Sequence, residues 1–304
     1  MNLKQLKYAL VLAQEGSFSR AAETLNISQP SLSQYIKKIE TQVGAELFKR
    51  TSGEVQLTDA GRAYLEAGKK ILSLEHQMQN QLADLTEYRG GTVCIGISPY
   101  RSVHMIPRVL QEFDRLYPNV RLIVREKSGH ELLDAAIHGE FDLCVISLPV
   151  DASCFECETI LREEIVIAVK KDTELYARLC ENAKTQNGRK FPAVDLHLVE
   201  GCDFAMLDEY MRMRIVTDRI LEQASVQIRE KVGLSSNEAL LSAAATGVCA
   251  AFVPSGMVDG ASEQLGFFSL CQDAVFRDVG LIRRKDQYLS RPIKALIEIF
   301  RTFA

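Results

Sequence analysis

The sequence predicts a multidomain α+β chain with a winged helix-turn-helix head, one long helix and a larger α/β body. Three observations predict this class. Apolar residues recur at helical spacing through residues 3–43, and a helical pattern without proline runs from 58 to 88. After the glycine pair at 90–91, short apolar strands alternate with amphipathic helices. At 304 residues the chain is long enough for two or three domains with separate cores.

The head is predicted to contain three helices joined by short turns. The first helix covers 3–15, and the second follows a serine cap at either Ser17 or Ser19. The third helix covers 28–43, with Ser28 as its cap. Pro30 is tolerated there because it falls in the first turn, where an amide N–H has no helical partner to lose.

The third helix has two different faces. Its apolar face carries Leu32, Ile36, Ile39 and Val43. The opposite face carries only amides, hydroxyls and lysines: Gln29, Ser31, Ser33, Gln34, Lys37 and Lys38. These groups hydrogen-bond base edges and phosphates, so the pattern favours DNA recognition. The alternative is the solvated face of an ordinary three-helix bundle.

A short β-hairpin wing is predicted around the polar turn at 51–54, which lies between two short apolar runs. Lys49 and Arg50 at its base are expected to contact phosphate. Residues 1–64 hold eight lysines and arginines against six acids. The net charge of −4 therefore divides into +2 for this segment and −6 for the remainder, which suits a head that alone meets DNA.

The long helix is predicted over 58–88, beginning at a Thr58 cap. An apolar stripe follows a seven-residue repeat, with Gln81 as a polar interruption: Ile71, Leu74, Met78, Leu85 and Tyr88, with Leu82 beside it. The stripe either packs against the chain's own body or pairs with a second copy. We favour pairing, because two recognition helices must be held about one DNA turn, or a multiple of it, apart.

The body is predicted to be a right-handed, parallel α/β arrangement, because strands and helices alternate along it. The predicted strands are 92–97, 120–126, 142–146, 165–169, 197–199, 227–232, 250–252 and 279–283. The predicted helices are 102–117, 130–138, 207–223, 238–246 and 292–302.

These segments closely resemble the LysR-type transcriptional regulators. The resemblance is carried in the head by LKQLKYALVLAQEGSFSRAAETLNISQPSLSQYIKKIE, VGAELFKRT and LTDAG, and in the body by GTVCIGIS, YPNVRL, AAATGVCAAFVPSG and RDVGLIRRKDQYLSRPIKALIEIF. It implies that Gln29, Pro30, Ser31, Ser33 and Gln34 lie in the major groove, while Arg20, Lys37, Lys38, Lys49 and Arg50 serve the phosphate backbone. Position 34 is often arginine in this family, and a glutamine favours adenine where arginine favours guanine.

The resemblance also implies a domain plan. Residues 1–58 would bind DNA, 59–90 would form the dimerisation helix, and 91–304 would form an effector-binding domain like a periplasmic binding protein. Its lobe one would comprise 91–162 and 268–304, and its lobe two 163–267. The segment 175–193 departs from the family pattern, so the edge of lobe two is expected to be elaborated. The implied assembly is a homodimer, or a homotetramer built from two dimers.

Ligands of such folds bind between the lobes, where strands end and helices begin. The residues that meet this description are Ser98, Pro99, Tyr100, Arg101, Ser102, Ser128, Ser147, Asp203, Phe204, Ser236, Asn237 and Pro254. The alternative is that the serines and the asparagine are ordinary helix caps. Arg101 suits a ligand carboxylate, so the expected effector is a small organic acid or an amino-acid derivative. DNA, this effector and RNA polymerase are the expected partners.

Other classes of function find little support. The five histidines show no metal-ligand spacing, and no nucleophile elbow or phosphate-binding loop occurs. We therefore expect that the protein is not an enzyme and that it binds no metal and no cofactor. Of the eight cysteines, only Cys154 and Cys157 form a close pair, which is weak evidence for a metal. The main alternative is a redox-sensing regulator acting through Cys202.

The apolar pattern of the sequence predicts neither an export signal nor a membrane span. The apolar run 8–13 is only six residues long and is followed by Gln14 and Glu15 rather than a cleavage site. No stretch approaches the roughly 20 apolar residues that a membrane span needs. A cytoplasmic location without membrane contact is therefore expected.

Overall fold

The computed structural model describes residues 2–51, 54–85, 90–185, 188–261, 263–270 and 274–302. The head contains three helices and a two-stranded antiparallel hairpin: α1 (Leu3–Glu15), α2 (Phe18–Thr24), α3 (Gln29–Val43), β1 (Phe48–Thr51) and β2 (Glu54–Leu57). These bounds confirm the predicted helices and wing. The tip of the wing at 52–53 lies outside the described residues.

Local caps explain where the head helices begin and end. The Ser28 hydroxyl accepts the Ser31 amide N–H, as predicted for the start of α3. Gly16 and Gly44 end α1 and α3 with φ of 60° and 76°, a left-handed conformation that glycine adopts without steric cost. The Gly16 carbonyl then accepts the Val55 amide N–H at 3.0 Å, which ties the wing to the end of α1.

A single long helix, α4 (Asp59–Leu85), leaves the head. Its 27 residues extend about 40 Å. The predicted Thr58 cap is present, since its hydroxyl accepts the Gly61 amide N–H at 2.9 Å. A side chain at position 61 would meet the Leu47 carbonyl, so glycine allows α4 to start directly against the head. Residues 86–88 of the predicted helix lie outside the described part.

The body consists of two α/β lobes whose strands form one continuous hydrogen-bonded order. Lobe one contains β3 (Gly91–Ile97), α5 (Pro99–Leu116), β4 (Val120–Glu126), α6 (Gly129–Ile137), β5 (Leu143–Ser147), β12 (Phe276–Arg284) and α10 (Arg291–Arg301). Lobe two contains α7 (Glu174–Asn182), β7 (Ala193–Val194), β8 (Asp203–Leu207), α8 (Arg212–Ala224), β9 (Arg229–Leu234), α9 (Asn237–Ala245), β10 (Ala250–Pro254) and β11 (Leu265–Leu270). Separate apolar clusters fill the two lobes.

One 16-residue strand, β6 (Phe155–Lys170), joins the lobes. Its first part pairs with β12, and its second part pairs with β10 and β11. The strand order β4-β3-β5-β12-β6-β10-β8-β9 therefore runs continuously through both lobes. Because β11 still pairs with β6 up to Ser269, the chain leaves lobe two after residue 270 rather than at the expected 268.

Several elements of lobe two differ from the prediction. Residues 197–199 belong to a 3₁₀ turn rather than a strand, because the Asp195 side chain accepts the His197 amide N–H and closes the turn. Residues 203–207 form strand β8, and the following helix begins at Arg212 rather than 207. Helix α7 and strands β7 and β11 were not predicted. In the described residues, no helix is both long and apolar enough to cross a membrane.

Candidate DNA interface and interlobe cleft

The polar face of α3 lies on the surface of the head. Gln29, Pro30, Gln34, Lys37 and Lys38 are exposed, and Ser31 and Ser33 are partly exposed. The opposite face is buried at Leu32, Ile36 and Ile39, which retain at most 2% of their accessible surface, whereas Val43 at the end of the helix is 48% exposed, contrary to the prediction. The third helix therefore presents the predicted amides, hydroxyls and lysines to solvent as one continuous surface.

The first acid after this surface is held away from it. One carboxylate oxygen of Glu40 accepts the amide N–H groups of Leu47 and Phe48, at 2.9 and 3.2 Å. These two hydrogen bonds fix the base of the wing against α3. Glu40 therefore serves to attach the wing to α3, and its carboxylate is turned towards the wing backbone.

The flanking cations lie around α3 on other elements. Lys49 is exposed on β1, whereas the side chain of Arg50 lies outside the described part. Arg20, exposed on α2, donates a hydrogen bond to the Glu15 carbonyl at the end of α1. A cation at this position complements the negative end of the α1 dipole.

The apolar stripe of α4 is exposed in the chain. Leu74, Met78, Leu82 and Leu85 keep 52–74% of their accessible surface, and Ile71 is partly buried. Tyr88 lies outside the described residues. The chain's own body instead meets the opposite, polar face of the helix, at Ser73, His76, Gln77, Asn80 and Asp84. The described geometry therefore argues against the alternative that the stripe packs on its own body.

The lobes meet around a buried charge cluster. Arg101 at the start of α5 and Arg277 on β12 both bind the same carboxylate oxygen of Glu163 on β6, at 3.1 and 2.8 Å. All three side chains are almost fully buried, with exposed fractions of 6%, 8% and 3%. Although burial alone would raise it, the two guanidinium groups hold the pKa of Glu163 below its usual value.

This cluster has one more positive than negative charge. Arg101 also donates to the Ser147 hydroxyl at 3.2 Å, but its Nε is buried without a hydrogen-bond partner. Burial, followed by the nearby Arg277, lowers the pKa of Arg101. A buried positive charge with an unused donor is costly, and an anion beside it would relieve that cost.

Contacts between the lobes surround the cluster. The Arg212 Nη1 at the start of α8 donates to the carbonyls of Ser147 and Pro149, at 2.7 and 2.8 Å. Tyr100 from lobe one packs into the apolar core of lobe two, with its hydroxyl against Gly256. The predicted interlobe cleft is thus a polar, largely enclosed junction.

The structure brings most of the predicted cleft residues to this junction. Ser98, Pro99, Tyr100, Arg101 and Ser102 open α5, Ser147 ends β5, and Pro254 ends β10. Ser128 and Ser236 behave as ordinary caps, since Ser128 hydrogen-bonds Glu131 and the Ser236 hydroxyl accepts the Ala239 amide N–H. Asn237 is the first residue of α9, and its side-chain Oδ1 atom is buried without a hydrogen-bond partner.

Two predicted residues lie at the wrong end of their strand. Strand β8 runs parallel to β10, whose carboxyl end faces lobe one, so Asp203 and Phe204 at the amino end of β8 face away from the cleft. Phe204 is fully buried and stacks on Phe252 at 4.8 Å between ring centroids. Asp203 instead forms ion pairs with Arg229 and Lys231. The prediction was wrong because it did not recognise β8 as a strand.

Three residues of the junction, Glu163, Arg277 and Arg212, were not predicted from the sequence. One signal was available: Glu163 and Glu164 directly precede the apolar run 165–169, and acids at the edge of a buried strand are unusual unless they meet cations. The positions of Arg277 and Arg212 could not be inferred in this way, because charged residues are ordinary in their segments.

The cysteines that the sequence singles out lie apart from the charge cluster. The Sγ atom of Cys202 accepts a hydrogen bond from Arg178 Nη2 at 2.8 Å, in a surface groove that Cys249 also lines. Burial raises the pKa of the Cys249 thiol. Cys154 and Cys157 are exposed near the start of β6. Within the described ranges, no group of three or more histidine, cysteine, aspartate or glutamate side chains is arranged to hold a metal.

Comparison with known proteins covers both parts of the chain. Residues 3–62 match the family described as bacterial regulatory helix-turn-helix protein, lysR family, and residues 86–304 match the LysR substrate binding domain. The uncharacterized HTH-type transcriptional regulator YcgK of Bacillus subtilis (strain 168) is 29% identical, over 99% of this chain and 94% of its own length.

Solved structures show the same architecture. A full-length single-residue variant of OxyR from Pseudomonas aeruginosa aligns with a TM-score of 0.70 and 25% identity, over 100% of this chain and 94% of its own. Full-length CbnR complexed with its target DNA aligns with a TM-score of 0.68 and 19% identity, over the whole of both chains.

Proposed function

The chain belongs to the LysR family of DNA-binding transcriptional regulators, which carry an effector-binding domain, and from that premise we propose which of its residues carry out each function. In this proposal residues 1–58 read DNA, 59–90 pair two subunits, and 91–304 bind a small organic anion between the lobes.

The exposed, acid-free face of α3 is the observation that carries the DNA-binding assignment. We assign Gln29, Pro30, Ser31, Ser33 and Gln34 to the major groove, because their short polar or flat side chains share one surface. The cations Arg20, Lys37, Lys38, Lys49 and Arg50 would contact phosphates on either side. The fold shared with CbnR, solved on its target DNA, supports this placement.

Gln29→Ala and Lys37→Ala should affect DNA binding in different ways. Gln29→Ala removes a side chain that can bond a base edge, so we expect preference at one base pair to relax by about 1–3 kcal/mol. Lys37→Ala removes a phosphate contact, so we expect weaker binding to all sequences and a salt slope smaller by about one. Selection from a random DNA pool, followed by anisotropy titrations at several salt concentrations, measures both.

The two variants serve as controls for each other, because both residues are exposed on the same helix face. Unchanged base preference in Gln29→Ala would remove this residue from the major groove. An unchanged salt slope in Lys37→Ala would remove that lysine from the phosphate contacts.

The surplus positive charge beside Glu163 carries the effector assignment. Two buried arginines face one carboxylate, and the free Nε of Arg101 is a donor for one more acceptor. A ligand with a single carboxylate would neutralise the cluster and satisfy this donor. We therefore assign the effector to small organic acids with one net negative charge near the lobe junction, with Arg101 as its principal partner.

Arg101→Gln should abolish binding of such a ligand while the domain stays folded, because Glu163 and Arg277 remain as a neutral pair. We expect at least one monocarboxylate metabolite, tested at matched ionic strength, to raise the melting temperature of the wild type and of Arg115→Gln, an exposed control on α5. The corresponding neutral amide should have no effect, and neither compound should stabilise Arg101→Gln.

Equal stabilisation by acid and amide would contradict the charge assignment. The same preparations treated with peroxide test the redox alternative, for which the contact between Arg178 and the Cys202 sulfur is the structural observation in its favour. A peroxide-dependent operator footprint that is lost in Cys202→Ser, without any carboxylate effect, would favour that alternative.

A further inference from the structure

The long helix α4 docks on lobe one through polar side chains. Ser73 and Asn80 on its docking face are more than 90% buried. Gly139, in the turn after α6, has a φ of 72°, and a side chain there would lie 2.3 Å from the Ser73 hydroxyl. Further along the helix, the Asp84 carboxylate accepts the Tyr288 hydroxyl and the Arg291 amide N–H at the start of α10. We call this contact the linker joint.

Asp142 is the centre of the linker joint. One of its carboxylate oxygens accepts the Cys94 amide N–H of β3 at 2.7 Å, and the other accepts the Gln287 side-chain amide at 3.2 Å. His76 Nε2 on α4 lies 3.1 Å from the first oxygen and 3.2 Å from the Asn80 amide. Asp142 is 3% exposed, so this carboxylate connects the linker helix to two segments of lobe one from a buried position.

His76 is the member of this network whose charge changes near neutral pH. The hydrogen bond with Asp142 raises the pKa of His76, although partial burial opposes the shift. The other charges near His76 are largely paired: Lys7 with Glu75 at 3.3 Å, and Lys69 with Glu140 at 2.9 Å. The remaining ionisable groups in the same groove are Cys94, Arg125, Glu126 and Lys127.

We propose that His76 is a proton-operated lock between the linker helix and lobe one. In its protonated form it holds the helix through an ion pair with the buried Asp142 carboxylate. In its neutral form only a hydrogen bond remains, while the paired charges around it keep their state. The lock joins the effector-binding lobes to the helix that carries the DNA-binding head, so proton binding would alter how firmly these parts move together.

The direction of the pH effect follows from the raised pKa. A group whose pKa is higher in the docked state stabilises that state fully below its free value of about 6.5. This stabilisation is lost as pH rises through the raised value. The linker joint is therefore tighter at pH 6 than at pH 8.

Hydrogen exchange on the full-length protein tests the lock directly. The readouts are the amides of Cys94 and Arg291, which the joint holds through Asp142 and Asp84. After correction for intrinsic exchange, we expect the protection factors of these two amides in the wild type to decrease by a factor of about three to ten between pH 6 and pH 8. His76→Gln keeps a hydrogen-bond donor without a titrating charge, so its protection should not depend on pH.

His130→Gln, an exposed histidine on α6, is the matched control and should behave as the wild type. A histidine NMR titration gives a second, independent readout, with the His76 resonance identified by its absence in His76→Gln. Its midpoint should lie above 6.5 and return towards that value in Asp142→Asn. The same pH dependence in His76→Gln, or a His76 midpoint at or below 6.5, would overturn the proposal.

Discussion

Replacing Glu163 by alanine should lower the free energy of unfolding of the effector-binding region by about 3–5 kcal/mol. The substitution leaves Arg101 and Arg277 buried side by side without the carboxylate that both now bind. Guanidinium groups stay charged at any ordinary pH, so neither can escape the repulsion by losing a proton. The expected loss of unfolding free energy therefore has two sources, the desolvation of the two guanidinium charges and the repulsion between them.

Glu158→Ala is the matched control, because Glu158 lies on the same strand but forms an exposed pair with Arg301. We expect it to cost less than about 1 kcal/mol. Urea unfolding of the full chain, followed by circular dichroism, measures both variants. Similar losses for the two variants would show that the buried cluster contributes no more than a surface ion pair.

The same carboxylate predicts a loss of stability in acid. The pKa of Glu163 is lowered in the folded protein, so its contribution is present above the usual glutamate value near 4.3. It is lost as pH falls through the lowered value. This acid-dependent component should be absent from the unfolding curves of Glu163→Ala.

Met78→Glu should lower operator affinity by about 100-fold or more. In the proposed dimer, Met78 lies in the apolar stripe of α4, and a carboxylate there would have to be buried between two helices. Separate subunits bind with one recognition helix at a time and lose the advantage of linked sites, which is typically 100-fold or greater. The residue is 54% exposed in the single chain, so the subunit itself should keep its fold.

Gln79→Glu provides the comparison, since it adds the same charge at the next position, outside the stripe. We expect sedimentation to show a smaller assembly for Met78→Glu and no change for Gln79→Glu. Operator affinity, measured by anisotropy, should follow the same pattern. An intact assembly with normal affinity in Met78→Glu would exclude the stripe as the pairing surface.

The head could be predicted in detail because its determinants are local. The ends of α1 and α3 are set by a flanking asparagine, serine or glycine, and the two faces of α3 follow from a repeat of three to four residues. In lobe two, by contrast, the short strand β8 reads equally well as the start of a helix. Its identity depends on pairing with β9 and β10, which lie 26 or more positions further along the chain.

The sequence by itself determined the elements of the head, the polar surface of α3, the apolar stripe of α4 and the α/β character of the body. Only the tertiary structure decided which charges meet. Glu163 lies 62 residues from Arg101 and 114 from Arg277, and His76 lies 66 residues from Asp142. Periodicity describes which side of one element a residue occupies, but these pairs form where separate elements cross. Sheet order and helix docking therefore placed both the candidate effector cluster and the linker joint.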